Sequence, residues 1–227
     1  MVSKNVWVVI PAYNESSVIQ KTIKDVLKFF QNVVVVDDHS SDCTAQLAYE
    51  SGATVCRHPI NLGQGAALQT GITYALTQGA SHIITFDADG QHSIHDAMNM
   101  VDTLDTSQAD VVLGSRFLGA NPIGMTRSKR VLLAAATYFT RITSGLSVTD
   151  THNGLRCLSA KAAKEITIKH NRMAHASELL NQIGKLKLKY VESPCTITYT
   201  DYSKAKGQRL TGAFKILYDL SVGKLYK

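Results

Sequence analysis

Between residues 6 and about 115, five short apolar runs at 6–10, 33–36, 53–56, 82–86 and 110–113 are separated by segments of helical periodicity. Runs of this kind, rich in Val and Ile with little polar alternation, read as strands buried on both faces. The segments between them fit helices that cover such a sheet. Residues 17–30 carry Val18, Ile19, Ile23, Val26, Leu27 and Phe30 on one face, 66–77 is a small-residue helix closed by Gly79, and 94–104 starts after the capping residue Ser93. Pro11 is expected to stop the first strand, and Ser41 or Asp42 to cap a helix running to about residue 51. Strand and helix in strict alternation predict an α/β fold, with a mostly parallel central sheet and helices on both faces.

Beyond residue 116 the pattern loosens. A turn-rich loop at 121–124 leads to a helical segment over 127–146, and a glycine-containing turn within 150–158 precedes a short strand. Helices are expected over 159–168 and 176–184, a strand over 191–199, a polar basic loop over 200–209 and an amphipathic helix over 212–226. With 227 residues, 44% of them hydrophobic, the chain can bury a substantial core as one domain.

The four cysteines, at 43, 56, 157 and 195, lack metal-ligand spacing, which argues against a zinc site or a disulfide framework and fits a reducing cytosol. No secretory leader is visible at the N-terminus, and no window approaches the roughly 18 to 20 apolar residues of a spanning helix. The expected location is therefore cytoplasmic, with contact to a membrane surface at most. Charge is divided unevenly. Residues 1–110 hold 5 Lys+Arg against 12 Asp+Glu, net −7, whereas 111–227 hold 19 against 6, net +13. An acidic half suits a cation, and a basic half suits a phosphate-bearing acceptor or an anionic membrane. Nucleic acid is not an expected partner, because no recognition motif accompanies the basic charge.

Asp87-Ala88-Asp89 follows the 82–86 run, so both carboxylates stand at the C-terminal end of a strand, where open α/β sheets bind ligands. An i, i+2 pair on extended chain projects to one side. Hard oxygen donors placed there suit Mg²⁺ or Mn²⁺ carrying a phosphate. The same sheet edge receives Pro11-Ala12-Tyr13-Asn14-Glu15 after the first strand and Asp37-Asp38 after the second, acids able to accept from a base or a ribose hydroxyl. Asn61-Leu62-Gly63-Gln64-Gly65 precedes a helix and lets backbone approach a ligand closely, although it is neither a Walker loop nor a dinucleotide fingerprint. Gly114-Ser115-Arg116-Phe117 places a guanidinium, suited to bidentate phosphate contact, near the same edge.

These strings, with the Asp150-Thr151-His152-Asn153-Gly154-Leu155-Arg156 segment and Glu178, occur in an order that resembles glycosyltransferase family 2, and within it the dolichol-phosphate mannosyltransferase-like group. The resemblance spans about residues 6 to 206. It implies a GT-A fold and transfer of a hexose, with inversion, from a nucleotide sugar to a polyprenyl phosphate. GDP-mannose is the first expectation for the donor and UDP-glucose the second. Pro11, Tyr13, Glu15 and Asp38 would line the nucleoside pocket, and Asp87, Ala88 and Asp89 would face the diphosphate. The metal would be held by Asp87, Asp89 and Gln91. Arg116 would meet a donor or acceptor phosphate, Arg127, Lys129 and Arg130 a lipid phosphate, and Lys204 or Lys206 would close over the donor.

A phosphate acceptor is already anionic and needs no strong base, so the enzyme's task is alignment and stabilisation of the leaving diphosphate. A glycan hydroxyl would need a base, for which Asp150 and Glu178 are the candidates; for Asp42 and Arg156, structural roles are favoured. A non-catalytic nucleotide-sugar-binding subunit of a membrane complex is the alternative from another class. The last helix, with Leu210, Phe214, Leu217 and Tyr218 beside Lys215 and Lys224, suits a membrane interface, the core or a membrane-protein partner. Two departures from the family pattern fall in the second loop, where His39 and Cys43 stand at positions that are often Gly.

Overall fold

The computed structural model describes residues 5–118, 137–138, 140–142, 144–151, 153–172 and 174–198. Seven strands, β1 (Val6–Ala12), β2 (Asn32–Asp37), β3 (Thr54–Arg57), β4 (His82–Thr85), β5 (Val111–Ser115), β6 (Arg156–Ser159) and β7 (Tyr190–Pro194), form one sheet in the order β3-β2-β1-β4-β6-β5-β7. All neighbours pair in parallel except at β6, which runs antiparallel to both β4 and β5. The helices are α1 (Ile19–Leu27), α2 (Thr44–Glu50), α3 (Gln64–Thr77), α4 (Ile94–Ser107), α5 (Ala160–Glu165) and α6 (His175–Lys185).

The strand period of two divides the core into two layers. Trp7, Val9, Val34, Val36, Ile83, Val111, Leu113 and Leu158 face α3, α5 and α6, while Val8, Ile10, Val33, Val35, Ile84, Val112 and Cys157 face α1, α2 and α4. Every central strand thus fills both layers, as apolar runs without polar alternation predict. The small residues of α3 let it lie close to the sheet: a Cβ at Gly71 would stand 2.3 Å from Val9 Cγ1.

Pro11 does not stop β1, which continues to Ala12 and pairs with β2 through Pro11↔Val36. The reason is directional. Phe86 N donates to Val9 O on the β4 side and Asp38 N to Ala12 O on the β2 side. The Pro11 nitrogen therefore faces β4, whose last pair is Thr85 with Val9, and no ladder hydrogen bond is lost. Ser93 caps α4 as expected, its hydroxyl accepting from Asp96 N at 3.4 Å. For α2 the N-cap is Cys43, without a side-chain bond, and Asp42 instead joins two loops by accepting from Thr44 N at 3.0 Å and Ser16 N at 3.1 Å. Partial burial raises its pKa and these hydrogen bonds, with that of the Thr44 hydroxyl, more than offset it, leaving the carboxyl at about 2.

Within the expected 127–146 helix, residues 137–138, 140–142 and 144 are helical. Arg127, Lys129, Arg130, Lys204 and Lys206, and the expected helix over 212–226, lie outside the described residues. No helix among the described residues is long and apolar enough to cross a membrane.

Candidate active site

Parallel β1, β2 and β4 all end at one sheet edge, so their C-terminal loops converge there. Asp87 follows β4 and lies on the α3 side of the sheet, with its side chain 31% exposed. Its Oδ1 accepts from Gln64 Nε2 at 3.1 Å, and its Oδ2 meets His92 Nε2 at 2.9 Å. Burial acts to raise its pKa, but the His92 hydrogen bond and the charges of His92, Arg156 and His175 outweigh that and hold the carboxyl below its ordinary range. Asp89 is the opposite case. Burial raises it first and the charge of Asp87 second, with Glu15 adding in the same direction, against the backbone hydrogen bond from Gln91 N and the charge of His92.

Asp87 and Asp89 stand side by side at the end of β4, and Glu15 is near enough for its charge to act on Asp89. Gln91 belongs with them, but as a holder of Asp89: its backbone N–H reaches Oδ1 at 3.1 Å and its side-chain amide reaches Oδ2 at 2.7 Å. Among the described residues no group of three or more His, Cys, Asp or Glu side chains is assembled to hold a metal. The two carboxylates nevertheless fit a divalent cation, being hard donors whose mutual repulsion a cation would relieve. Tyr13 is 47% exposed at the end of β1 and Pro11 is buried behind it.

Several expectations are corrected. Ala88 faces the core, 4% exposed, and its carbonyl accepts from the Thr22 hydroxyl at 2.9 Å, so it is not offered to a ligand. Asp38 is also turned inward. Its side chain is 4% exposed and accepts from Leu62 N at 2.9 Å and Gly63 N at 2.6 Å, with His58 Nδ1 at 2.8 Å. It anchors the glycine loop.

That loop approaches the protein's own backbone. Asn171 O accepts from Gly65 N at 2.7 Å and Ala66 N at 3.3 Å. A Cβ would stand 2.4 Å from Asn171 O at Gly63 and 2.1 Å from His170 O at Gly65. Both glycines are required, but by residues 170–171. Glu178 holds the same segment from below, accepting from Lys169 N at 3.0 Å and His170 N at 2.8 Å, which is a structural task in place of the expected base.

Arg116 and Asp150 are also committed to each other. The guanidinium donates from Nε to Oδ2 at 2.6 Å and from Nη2 to Oδ1 at 2.7 Å, and the Arg116 backbone N–H adds a third bond at 3.1 Å. Glu192 fixes the approach by accepting from Thr149 N at 2.8 Å. Asp150 is therefore a clamp on Arg116 rather than a base reserved for a substrate hydroxyl. Arg156, buried on β6, feels the charges of both Asp87 and Asp150, which counter the lowering of its pKa by burial.

Gln64, His92 and Gly154 were not singled out from sequence as parts of the site, although all three touch Asp87. Gln64 and Gly154 stand inside noted motifs, His92 one residue past Gln91, and only their distances to Asp87 mark them.

A seven-stranded sheet of this order, with one antiparallel strand beside the acid-bearing β4, is the GT-A-like architecture of a glycosyltransferase. Residues 7–167 match the family described as glycosyl transferase family 2, and the chain belongs to it. It is 31% identical over 248 residues to the UDP-N-acetylglucosamine–dolichyl-phosphate N-acetylglucosaminyltransferase of Methanococcus voltae, covering 100% of this chain and 99% of that one. It is 39% identical over 225 residues to an uncharacterized protein of Methanocaldococcus jannaschii, at 97% and 93% coverage. Among solved structures, glucosyl-3-phosphoglycerate synthase of Mycobacterium tuberculosis with Mn²⁺, UDP-glucose and phosphoglyceric acid superposes with a TM-score of 0.73, at 18% identity, over 94% of this chain and 76% of that one.

Proposed function

We propose that this protein transfers a hexose, with inversion, from a nucleotide diphosphate sugar to a polyprenyl phosphate at the cytoplasmic face of a membrane, using Mg²⁺ or Mn²⁺ held by Asp87 and Asp89. The observation that carries the reading is the acid pair itself: two carboxylates at the end of β4, one of them raised in pKa by burial and by the charge of the other. Gln91, Gln64 and His92 fix their orientation. The bound cation supplies charge neutralisation for the departing diphosphate. Glu15 and Tyr13 flank the nucleoside side of the same edge.

The acceptor assignment draws support from the two candidate bases. Asp150 is bound by Arg116 and Glu178 by backbone N–H groups, an arrangement that suits an acceptor bringing its own negative charge better than a glycan hydroxyl. The name of the Methanococcus voltae relative, a dolichyl-phosphate N-acetylglucosaminyltransferase, points the same way. In this reading residues 1–115 receive the donor and 116–227 face the acceptor. Arg127, Lys129 and Arg130 then meet the lipid phosphate, and Lys204 or Lys206 closes over the donor. Thr198 N donates to Gln91 O at 3.0 Å, beside the acid loop.

The test is a panel of GDP-mannose, UDP-glucose and UDP-N-acetylglucosamine with Mn²⁺ or Mg²⁺ and a short polyprenyl phosphate, scored for lipid-linked sugar and its anomeric configuration. One donor should give an inverted product that is lost on chelation. Transfer that survives alanine at both Asp87 and Asp89 would refute the metal-dependent reading, and no product with any donor would favour the glycan-acceptor or binding-subunit alternatives.

A further inference from the structure

Gly154 precedes β6, and its φ lies outside the left-handed region, so its backbone does not require a glycine. Space does. A Cβ at this position would stand 2.2 Å from Asp87 Oδ2 and 2.7 Å from both Cγ and Oδ1, the whole carboxylate lying against the glycine Cα. The residues around it hold Gly154 still. Its carbonyl accepts from the Thr85 hydroxyl at 2.6 Å, tying it to the last residue of β4. Leu155 N donates to Asn153 Oδ1 at 3.0 Å, and the Asn153 amide donates to Cys195 Sγ. On its far side the carboxylate is held by Gln64 and His92.

We infer that Gly154 is a positioning residue for Asp87: the hydrogen-bonded glycine is the wall that sets where the carboxylate can stand. This deepens the proposed metal-dependent reading and rests on it. Antiparallel β6 then has a task at the site as well as in the sheet, since its lead-in runs past the end of β4, where a parallel strand would end. A side chain at 154 displaces the short, half-exposed Asp87 more easily than it displaces the buried β6 backbone. The damage should fall on cation binding and leave the fold standing.

The experiment uses the full chain and the Gly154→Ala variant. Mn²⁺ uptake is followed by loss of the free-ion electron paramagnetic resonance signal, with UDP and separately with GDP, alongside thermal unfolding without metal. Gly154→Ala should lower Mn²⁺ affinity about 10- to 100-fold, the range for residues that orient metal ligands, with Tm within a few degrees of wild type. Unchanged Mn²⁺ uptake overturns the inference. If the variant is destabilised, the cycle with Asp87→Ala decides: Gly154→Ala should cost nothing further once the carboxylate is gone, and an equal loss in both backgrounds also overturns it. A wild-type chain that takes up no Mn²⁺ overturns the metal reading instead, and the same cycle still decides the Gly154–Asp87 contact.

Discussion

Strands β2 and β4 flank β1, end at the same sheet edge and each deliver two aspartates to it, yet the two pairs live in opposite conditions. After β2, Asp37 pairs with Arg57 Nε at 3.1 Å and Asp38 takes two backbone N–H groups and His58. After β4, Asp89 is held by Gln91 and is raised in pKa by burial and by the charge of Asp87. Residue type and place in the fold are shared, so neither separates a structural acid from a functional one. The charges around them do: Asp37 stands against a guanidinium and Asp38 against backbone N–H groups, whereas Asp89 stands against Asp87. An acid paired within its own chain stabilises the fold, whereas one held beside a like charge stores repulsion that a cation can release.

The sharpest way to break this contrast is at Asp89. Asp89→Asn should reduce transfer at least about a thousandfold, a loss of about 4 kcal/mol at the transition state, by removing one of the two proposed cation ligands. Metal-free stability should not fall with it. The sign follows from the raised pKa: the ionised form is disfavoured in the fold, so Asp89 costs stability as pH rises through its folded pKa. At neutral pH the amide should unfold at the same or a higher temperature than wild type. A variant that is both inactive and clearly less stable would put Asp89 in the same class as Asp38.

The clamp on Arg116 should behave in the reverse manner. Asp150→Asn removes the charge from a buried bidentate pair and leaves the Arg116 guanidinium without its counter-ion, a change that typically costs about 3 kcal/mol or more. Urea unfolding would read it as a lower midpoint at unchanged m-value. Asp38→Asn comes next, at about 2 kcal/mol, because one acceptor oxygen becomes an amide donor facing a backbone N–H of the glycine loop. If either variant lost activity with stability intact, the division between structural and functional acids would be drawn in the wrong place.

These contrasts show what the sequence could and could not disclose. The runs at β1, β2, β4 and β5 were legible because strands buried on both faces leave no freedom in residue type, and the acids at their ends were legible because a strand end fixes their place. β6 was only a short strand of unknown direction. Its four residues, Arg156–Ser159, carry little pattern, and antiparallel pairing comes from the slot between β4 and β5. The roles of Asp38, Asp150 and Glu178 were not legible for a related reason. Their partners stand 24 and 25 residues on for Asp38, 34 residues back for Asp150 and 8 or 9 residues back for Glu178. Sequence shows that a glycine admits a close neighbour, but not that the neighbour of Gly65 is His170.

The smallest expected effect sharpens the contrast between two adjoining loops. Asn14 and His39 both adopt left-handed backbone, with φ of 52° and 64°, a conformation that costs most L-residues about 1 kcal/mol. Asn14 recovers it, because its side-chain oxygen accepts from Ser41 N at 2.9 Å and its backbone N–H donates to the Ser40 hydroxyl at 2.9 Å. His39 is exposed and stands where the family often places Gly. His39→Gly relieves the backbone but gives the unfolded chain more freedom, about 0.5 to 1 kcal/mol, so the net change should be a gain of no more than about 0.5 kcal/mol. Asn14→Gly removes the same strain together with the bond to Ser41, and should lose about 1 kcal/mol. Thermal unfolding of the two variants side by side should move in opposite directions. A loss at both positions would mean that His39 makes a stabilising contact of its own, and that the second acid loop is held by its side chains throughout.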